Sequence, residues 1–409
     1  MPPLVQPFAA IRPQPARAAE VAAQPYDVLS FAEAAAGAEG RPWTFLHVSR
    51  AEIDLPPGTD PFAPAVYEQA ARALGRMIAD GVLIRDDRPC YYVYRMTAGG
   101  HVQTGVAVAA SVDAYKVNRV RRHEHTRPDK ELDRTRQIEA VAAHTGPVLT
   151  VHAPDPVLGE VLGKAAEAPP IAEARTDEGT LHQVWSVSDT AAVAAITDGF
   201  EAMPAIWIAD GHHRSAAAAR VADAYAGTGR PGADRFLVVS FPTDQVRILD
   251  YNRVVRDLAG RSEQQFLDDV SVAFAVEPAS GPVRPDQPRV FGMALGDRWY
   301  RLRMRNGLPA SASPVERLDV SLLNDRLLAP VLGIGDTRTD KRIDFVGGGR
   351  GLGALEERVR SGEWAVAFSL HPTGLADLIA VADAGQVMPP KSTWFEPKLA
   401  DGLLSLPLT

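Results

Sequence analysis

At 409 residues the chain is too long for one small core, so two domains are the natural expectation. An apolar fraction of 46% and a charged fraction of 23% are those of a globular chain and exclude a wholly disordered one. A net charge of -8 argues against a broad nucleic-acid surface, and the single cysteine, Cys90, excludes an intrachain disulfide and a cysteine-type zinc site.

The opening MPPLVQPFAAIRPQP has no cationic leader and is broken by prolines, and no stretch reaches the roughly 18 to 20 apolar residues of a membrane helix. The expected compartment is the cytoplasm, with neither membrane nor nucleic acid as a partner. Residues 16–24 and 31–38 are Ala-rich and suggest short helices around the turn-like Pro25-Tyr26-Asp27. Residues 64–80 space Val66, Ala70, Leu74, Met77 and Ile78 at helical intervals, with Gly81 as the stop. YYVYRMT and HVQTGVAVAASV form a hairpin through Ala98-Gly99-Gly100, and Cys90 beside them reads as a buried structural thiol. Residues 116–137 are the most charged part of the chain. LHQVWSVS is a strand and AAVAAITDGFEA a helix, and the apolar strand AIWIAD then runs into GHHR and the helix SAAAARVADAYAG.

Beyond the TGRPGAD loop, FLVVSFP is expected to pair with VRILDYNRVV across Thr243-Asp244-Gln245, and FGMAL with RWYRLRM across Gly296-Asp297. Ser262 caps a helix through SEQQFLDDVSVAF. A final α/β portion holds SLLNDRLLAPVLG, LGALEERVRSG, WAVAFSL and LADLIAVADAG. The expected architecture is a mixed α/β (α+β) fold. It divides into an N-terminal α/β domain, 1–230, and a C-terminal α/β domain, 231–409, with hairpins and two polar loops.

The sharpest chemical signal is the run Asp210-Gly211-His212-His213-Arg214-Ser215, where an apolar strand turns into an Ala-rich helix. Unpaired amides at a helix start, reinforced by the aligned peptide dipoles, attract anions. Arg214 offers a planar fork suited to phosphate. Asp210 cannot help an anion, so it caps the helix, orients a histidine or holds a divalent cation. The plainer reading is a capped turn with two solvated histidines.

The second signal is Arg121 to Arg127, where Glu124 between His123 and His125 can accept a hydroxyl proton or help hold a metal, and Arg122 and Arg127 can clamp phosphate or carboxylate. A solvated charged helix explains the same run as simply. His144 in AHTGP is a weaker candidate, a structural histidine being at least as good a reading. RTDKRIDFVGGG lets backbone approach a ligand but is no phosphate loop of the Lys-Ser/Thr type. MPPKSTWFEPKL presents Lys391, Ser392, Thr393, Glu396 and Lys398 on a proline-stiffened loop. Packing with ion pairs accounts for both equally well.

The segments PYDV (25–28), FLHV (45–48), DPF (60–62), HEHTR (123–127), HTGP (144–147), ADGHHRSAAA (209–218), ILDYNRVV (248–255), RTDKRIDFVGG (338–348) and MPPKSTWFEPKL (388–399) together resemble the family called domain of unknown function 1015. The family name confers no function. The ADGHHRSAAA box also resembles the Gly-x-His-Arg box of the ParB/sulfiredoxin-like superfamily, whose members bind nucleotides there and include free serine kinases. That resemblance implies a nucleotide-binding core with large insertions, in which Gly211, His212, His213, Arg214 and Ser215 hold ATP, ADP or CTP. It further implies Mg2+, at Asp210 if anywhere, and Glu124 as base beside His123 and His213, with Glu20 as a rival. The acceptor would be a small hydroxyl compound, free L-serine first, met by Arg122, Arg127, His144, Lys391, Ser392 and Thr393. The reverse reaction on phosphoserine fits the same residues. Two other readings stand beside this one: a nucleotide-binding switch, and a metal-dependent phosphohydrolase built on His123, His125, His144, His212 and His213.

Overall fold

The computed structural model describes residues 3–408 as a mixed α/β protein in two compact units, one formed by Met1–Val246 with Pro397–Thr409, the other by Arg247–Glu396. The division expected near residue 230 therefore falls at Val246 instead. The strand Arg235–Pro242, buried along nearly its whole length, belongs to the first unit, where it lies between strands 101–111 and 148–152.

That placement also corrects the hairpin expected across Thr243-Asp244-Gln245. Arg235–Pro242 is a central strand with both edges taken, so it cannot pair with the segment beyond the turn. Arg247–Leu249 pairs with Trp394–Glu396, and Tyr251–Val255 pairs with 343–347 and 366–370, all within the second unit. A turn-like tripeptide between two apolar runs gave the local signal, and long-range pairing overrode it.

The first unit is built on a nine-stranded sheet. Its order is 120–121, 206–210, 148–152, 235–242, 101–111, 91–98, 181–187, 172–175, with Val5–Gln6 added on 101–111. The hairpin of Tyr91–Ala98 and His101–Ser111 forms where its β-branched and aromatic runs place it. Helices Pro64–Ala79, Pro128–Val141, Thr190–Ala202 and His212–Ala224 cover this core. Pro64 and Pro128 stand at helix starts, where the missing N–H costs nothing. Cys90 is buried, as expected of a structural thiol, and burial pushes its pKa up.

The second unit holds a six-stranded antiparallel sheet, including the hairpin Val290–Leu295 with Arg298–Met304. Its helix Glu263–Ala273 starts at Ser262 in a full capping box with Gln265.

Residues 397–408 return to the first unit as a buried strap. Asp401 bridges Ala23, Ser405 bridges Ile11, and Leu406–Pro407 pairs with Ala143–His144. Leu408 closes a small core with Ile138, Ala217 and Val221, locking helix 128–141 onto helix 212–224. Among the described residues no helix is long and apolar enough to cross a membrane. Leu408→Ala is expected to cost about 2–5 kcal/mol, while Leu132→Ala, at a side chain 41% exposed, stays within about 0.5 kcal/mol. Urea unfolding of the two variants checks this.

Candidate functional site

Strands Val120–Arg121 and Ile206–Asp210 run parallel, so the segments beyond their C-terminal ends leave the sheet on the same side. HEHTR and DGHHR, 86 residues apart from Arg127 to His213, meet for that reason. Between strand and helix, Gly211 adopts φ +101°, and a Cβ there would stand 3.2 Å from the Val148 backbone. Glycine is required at this corner. The helix His212–Ala224 starts at once, and no side chain caps it.

Two backbone amides fasten HEHTR to that helix start. The His123 N–H donates to His212 Nε2 at 3.4 Å, and the Arg127 N–H donates to His213 Nε2 at 3.1 Å. A nitrogen that accepts has no proton, so each ring is a neutral imidazole carrying its hydrogen on Nδ1. His212 Nδ1 faces the Glu124 carboxylate across 3.7 Å, with Glu124 38% exposed and His212 buried. The His123 and His212 rings meet edge to face at 4.4 Å. His123 bonds the Ile208 carbonyl, and its Nδ1 is buried without a partner.

Asp210 ends the strand beneath two cations. Lys398 Nζ lies 3.1 Å and Arg214 Nη2 3.7 Å from the same oxygen, Oδ2. Burial alone would raise the Asp210 pKa, but the charges of Lys398 and Arg214 hold it well below the usual carboxylate range. The Arg214 guanidinium is turned inward, donates to the Pro147 carbonyl, and leaves Nε buried without a partner. It borders a cavity of about 30 Å3 lined also by Tyr26, His144, Gly146 and Asp401, room for roughly two water molecules. Arg134 stacks over the Tyr26 ring at 4.0 Å. Burial pushes the Asp401 carboxyl up to about 7 against the pull of Arg214.

The other sequence candidates scatter. Arg122 is exposed and lies over the Tyr115 ring, and Arg127 pairs with Asp129 at 2.8 Å. His144 is buried at the cavity, its Nε2 without a partner. The Ser215 hydroxyl is fully buried and bonds the His212 carbonyl at 3.0 Å, inside the helix. Glu20 is exposed and pairs with Arg17 at 3.5 Å, and His125 is exposed. Lys391, Ser392 and Thr393 belong to the second unit, where Lys391 lies over Tyr251 and Ser392 bonds the Pro389 carbonyl. Lys398, singled out on the MPPKSTWFEPKL loop, does reach the first unit's site. Sequence reasoning missed two residues there: Tyr26, which lay in a motif already noticed, and Asp401, which carried no signal.

Two metal expectations can be tested on this geometry. Asp210 does not suit Mg2+, because Lys398 and Arg214 already share one of its oxygens and it lies outside the cluster of ligand groups found among the described residues. That cluster is His123, Glu124 and His212, whose ligand atoms lie within 4.8 Å of one another. A metal ion there needs a lone pair on His212, yet Nδ1 carries the hydrogen and Nε2 accepts the His123 amide. The cluster fits a carboxylate facing a buried neutral imidazole across 3.7 Å better than a transition metal.

A family model described as "Protein of unknown function (DUF1015)" matches residues 5–321. The chain belongs to that family. Among curated proteins none matches it. Among solved structures it is similar to SbnI with C-terminal truncation from Staphylococcus aureus, at 14% identity and a TM-score of 0.40, over 74% of this chain and 87% of that one. It is similar to a free serine kinase in complex with AMP at 14% identity and a TM-score of 0.36, over 71% of this chain and 86% of that one. A conserved hypothetical protein from Pyrococcus furiosus gives 14% identity and a TM-score of 0.37, over 74% and 95%.

Protonation ties this DUF1015 site to stability. Burial lowers His123, His144, His152 and His182 to about 4 each, and drives His212 well below its ordinary value. Unfolded, each titrates near 6.5, so below about pH 6.5 the unfolded chain takes protons that the folded one refuses. The histidine contribution is complete above that pH and is lost as pH falls toward 4. Asp401 and Asp319, both raised to about 7 by burial, act in the opposite sense but are outnumbered. The thermal midpoint is expected to fall steadily between about pH 6.5 and pH 4.5. A midpoint that is flat or rises over that range, by scanning calorimetry, contradicts the neutral-histidine assignment.

Proposed function

We propose that this protein is a nucleotide-dependent phosphotransferase acting on a small hydroxyl compound, with free L-serine the first acceptor to test. The observation that carries the reading is the Glu124 carboxylate, part exposed and 3.7 Å from the Nδ1–H of His212 at the uncapped start of a helix. An uncapped helix start receives phosphate oxygens, and a carboxylate beside it can accept the proton of an attacking hydroxyl. Phosphoryl transfer asks mainly for positioning and positive charge, which this arrangement supplies.

In this scheme Gly211 lets the donor phosphates approach the amides of His212, His213 and Arg214. The acceptor's hydroxyl proton passes to Glu124 as its oxygen bonds to the transferred phosphorus, and the nucleotide leaves with one phosphate fewer. His212 keeps the carboxylate oriented without competing for the proton, because its own acceptor nitrogen is occupied by the His123 amide. His123 adds a buried acceptor, Nδ1, that a bound hydroxyl can satisfy. His213, held by the Arg127 amide, fixes the far end of the HEHTR segment. Arg214 changes role from the expected outward phosphate fork to an inward strut, leaving its amide at the helix start. Ser215 likewise serves the helix, through its bond to His212. No step is routed through a metal, since Asp210 does not suit one. Arg122, Arg127 and His144 remain candidates for the acceptor's own charged groups, and Lys391, Ser392 and Thr393 are candidates on the second unit. Glu20 is the less apt base, occupied as it is with Arg17.

Incubation with ATP, ADP or CTP and a panel of amino acids, followed by mass spectrometry for phosphorylated product, tests the reading. Glu124→Gln is expected to lower turnover by about 10²–10⁴-fold while nucleotide affinity is kept. Full turnover in that variant removes Glu124 from the mechanism. Nucleotide binding by the wild type without product from any acceptor would make the protein a nucleotide-binding switch instead.

A further inference from the structure

Three of the sequence motifs, PYDV, HTGP and DGHHR, meet the C-terminal strap at the cavity of about 30 Å3 beside Arg214. Four polar atoms of the residues around it have no hydrogen-bond partner among the described residues: Arg214 Nε, His144 Nε2, Asp401 Oδ1 and Ser49 Oγ. All four residues are more than nine-tenths buried. We propose that this cavity is a built hydration site, in which about two ordered water molecules join Arg214, His144, Asp401 and Ser49 into one hydrogen-bonded network. The inference goes beyond the phosphotransferase reading and does not depend on it.

The donors and acceptors match water. Arg214 Nε–H can only donate. His144 donates its one ring hydrogen to the Arg235 carbonyl, so Nε2 is a bare acceptor. The Tyr26 N–H donates to the Asp401 carboxyl, leaving Oδ1 to be satisfied. A water molecule supplies a lone pair for Arg214 and hydrogens for His144 and Asp401, and a second serves the Ser49 hydroxyl. A metal ion would meet the Arg214 guanidinium and an anion the Asp401 carboxyl, so a neutral guest suits both. Gly146 keeps the space open: a Cβ there would stand 3.2 Å from Arg214 Cδ and 3.6 Å from Asp401 Oδ1. The network gives Arg214 a third hold. Nη1 already donates to the Pro147 carbonyl, and Nη2 stands 3.7 Å from Asp210. Left dry, the same four atoms would be buried and unpaired, which folded proteins avoid.

A high-resolution crystal structure of the full-length protein tests occupancy, and thermal melts of two variants test the role. Ordered solvent is expected within hydrogen-bond distance of Arg214 Nε, His144 Nε2 and Asp401 Oδ1. An empty cavity, or one closed by direct contact of Arg214 with Asp401, overturns the proposal. In Gly146→Ala the methyl takes the place of a water without replacing its hydrogen bonds, so the midpoint is expected to fall by roughly 5 °C. In a dry cavity the same methyl would fill a void, and the midpoint would hold or rise. Ser49→Ala separates lost water from steric strain, because it adds no atom. Deleting a hydroxyl bonded to water lowers the midpoint, whereas deleting an unpaired one raises it. A rise in either variant overturns the proposal. If Gly146→Ala fails to fold, Ser49→Ala and the crystal structure decide on the same criteria.

Discussion

Two main-chain N–H groups, donated into the acceptor nitrogens of neighbouring histidines, hold the first unit's site together. The His123 and Arg127 amides reach His212 and His213, and through them a segment with no regular structure of its own is fixed against a helix start. The cost of protonating either ring is then more than desolvation. An imidazolium has no lone pair, so a proton on Nε2 would set N–H against N–H and release the segment. Neutral histidines are thus a structural requirement here, and His212 faces the Glu124 carboxylate across 3.7 Å.

The same bonds explain why a cluster with the composition of a metal site is poorly disposed to hold an ion. His123, Glu124 and His212 are close enough to share an ion, but the lone pair that an ion would need on His212 is committed elsewhere. At the end of strand Ile206–Asp210, Arg214 points into the unit, and it and Lys398 face the same oxygen of Asp210.

Much of this was legible in the sequence where local rules decide. The helix at Pro64–Ala79 followed from its spacing, the hairpin of Tyr91–Ala98 and His101–Ser111 from its runs, and the start of Glu263–Ala273 from Ser262. The turn at Gly211 was marked by a strand running straight into histidines and a helix. Local rules could not show which way a long side chain turns or which distant strand takes an edge. Arg214 reads as an outward fork until the Pro147 carbonyl is found beside it, and Arg235–Pro242 reads as half a hairpin until both its edges are seen to be filled. Asp401 and Lys398 arrive by the return of the last residues to the first unit, after the intervening residues 247–396, a closure that no periodicity announces.

Long-range 1H–15N correlation of the histidine side chains measures the central interaction directly. His212, whose pKa burial drives well below its ordinary value, is expected to show a protonated Nδ1 and a bare, hydrogen-bonded Nε2, unchanged from about pH 8 down to about pH 5.5, well after an ordinary histidine has begun to titrate. His212 found with its hydrogen on Nε2, or as a cation within that range, would contradict the account.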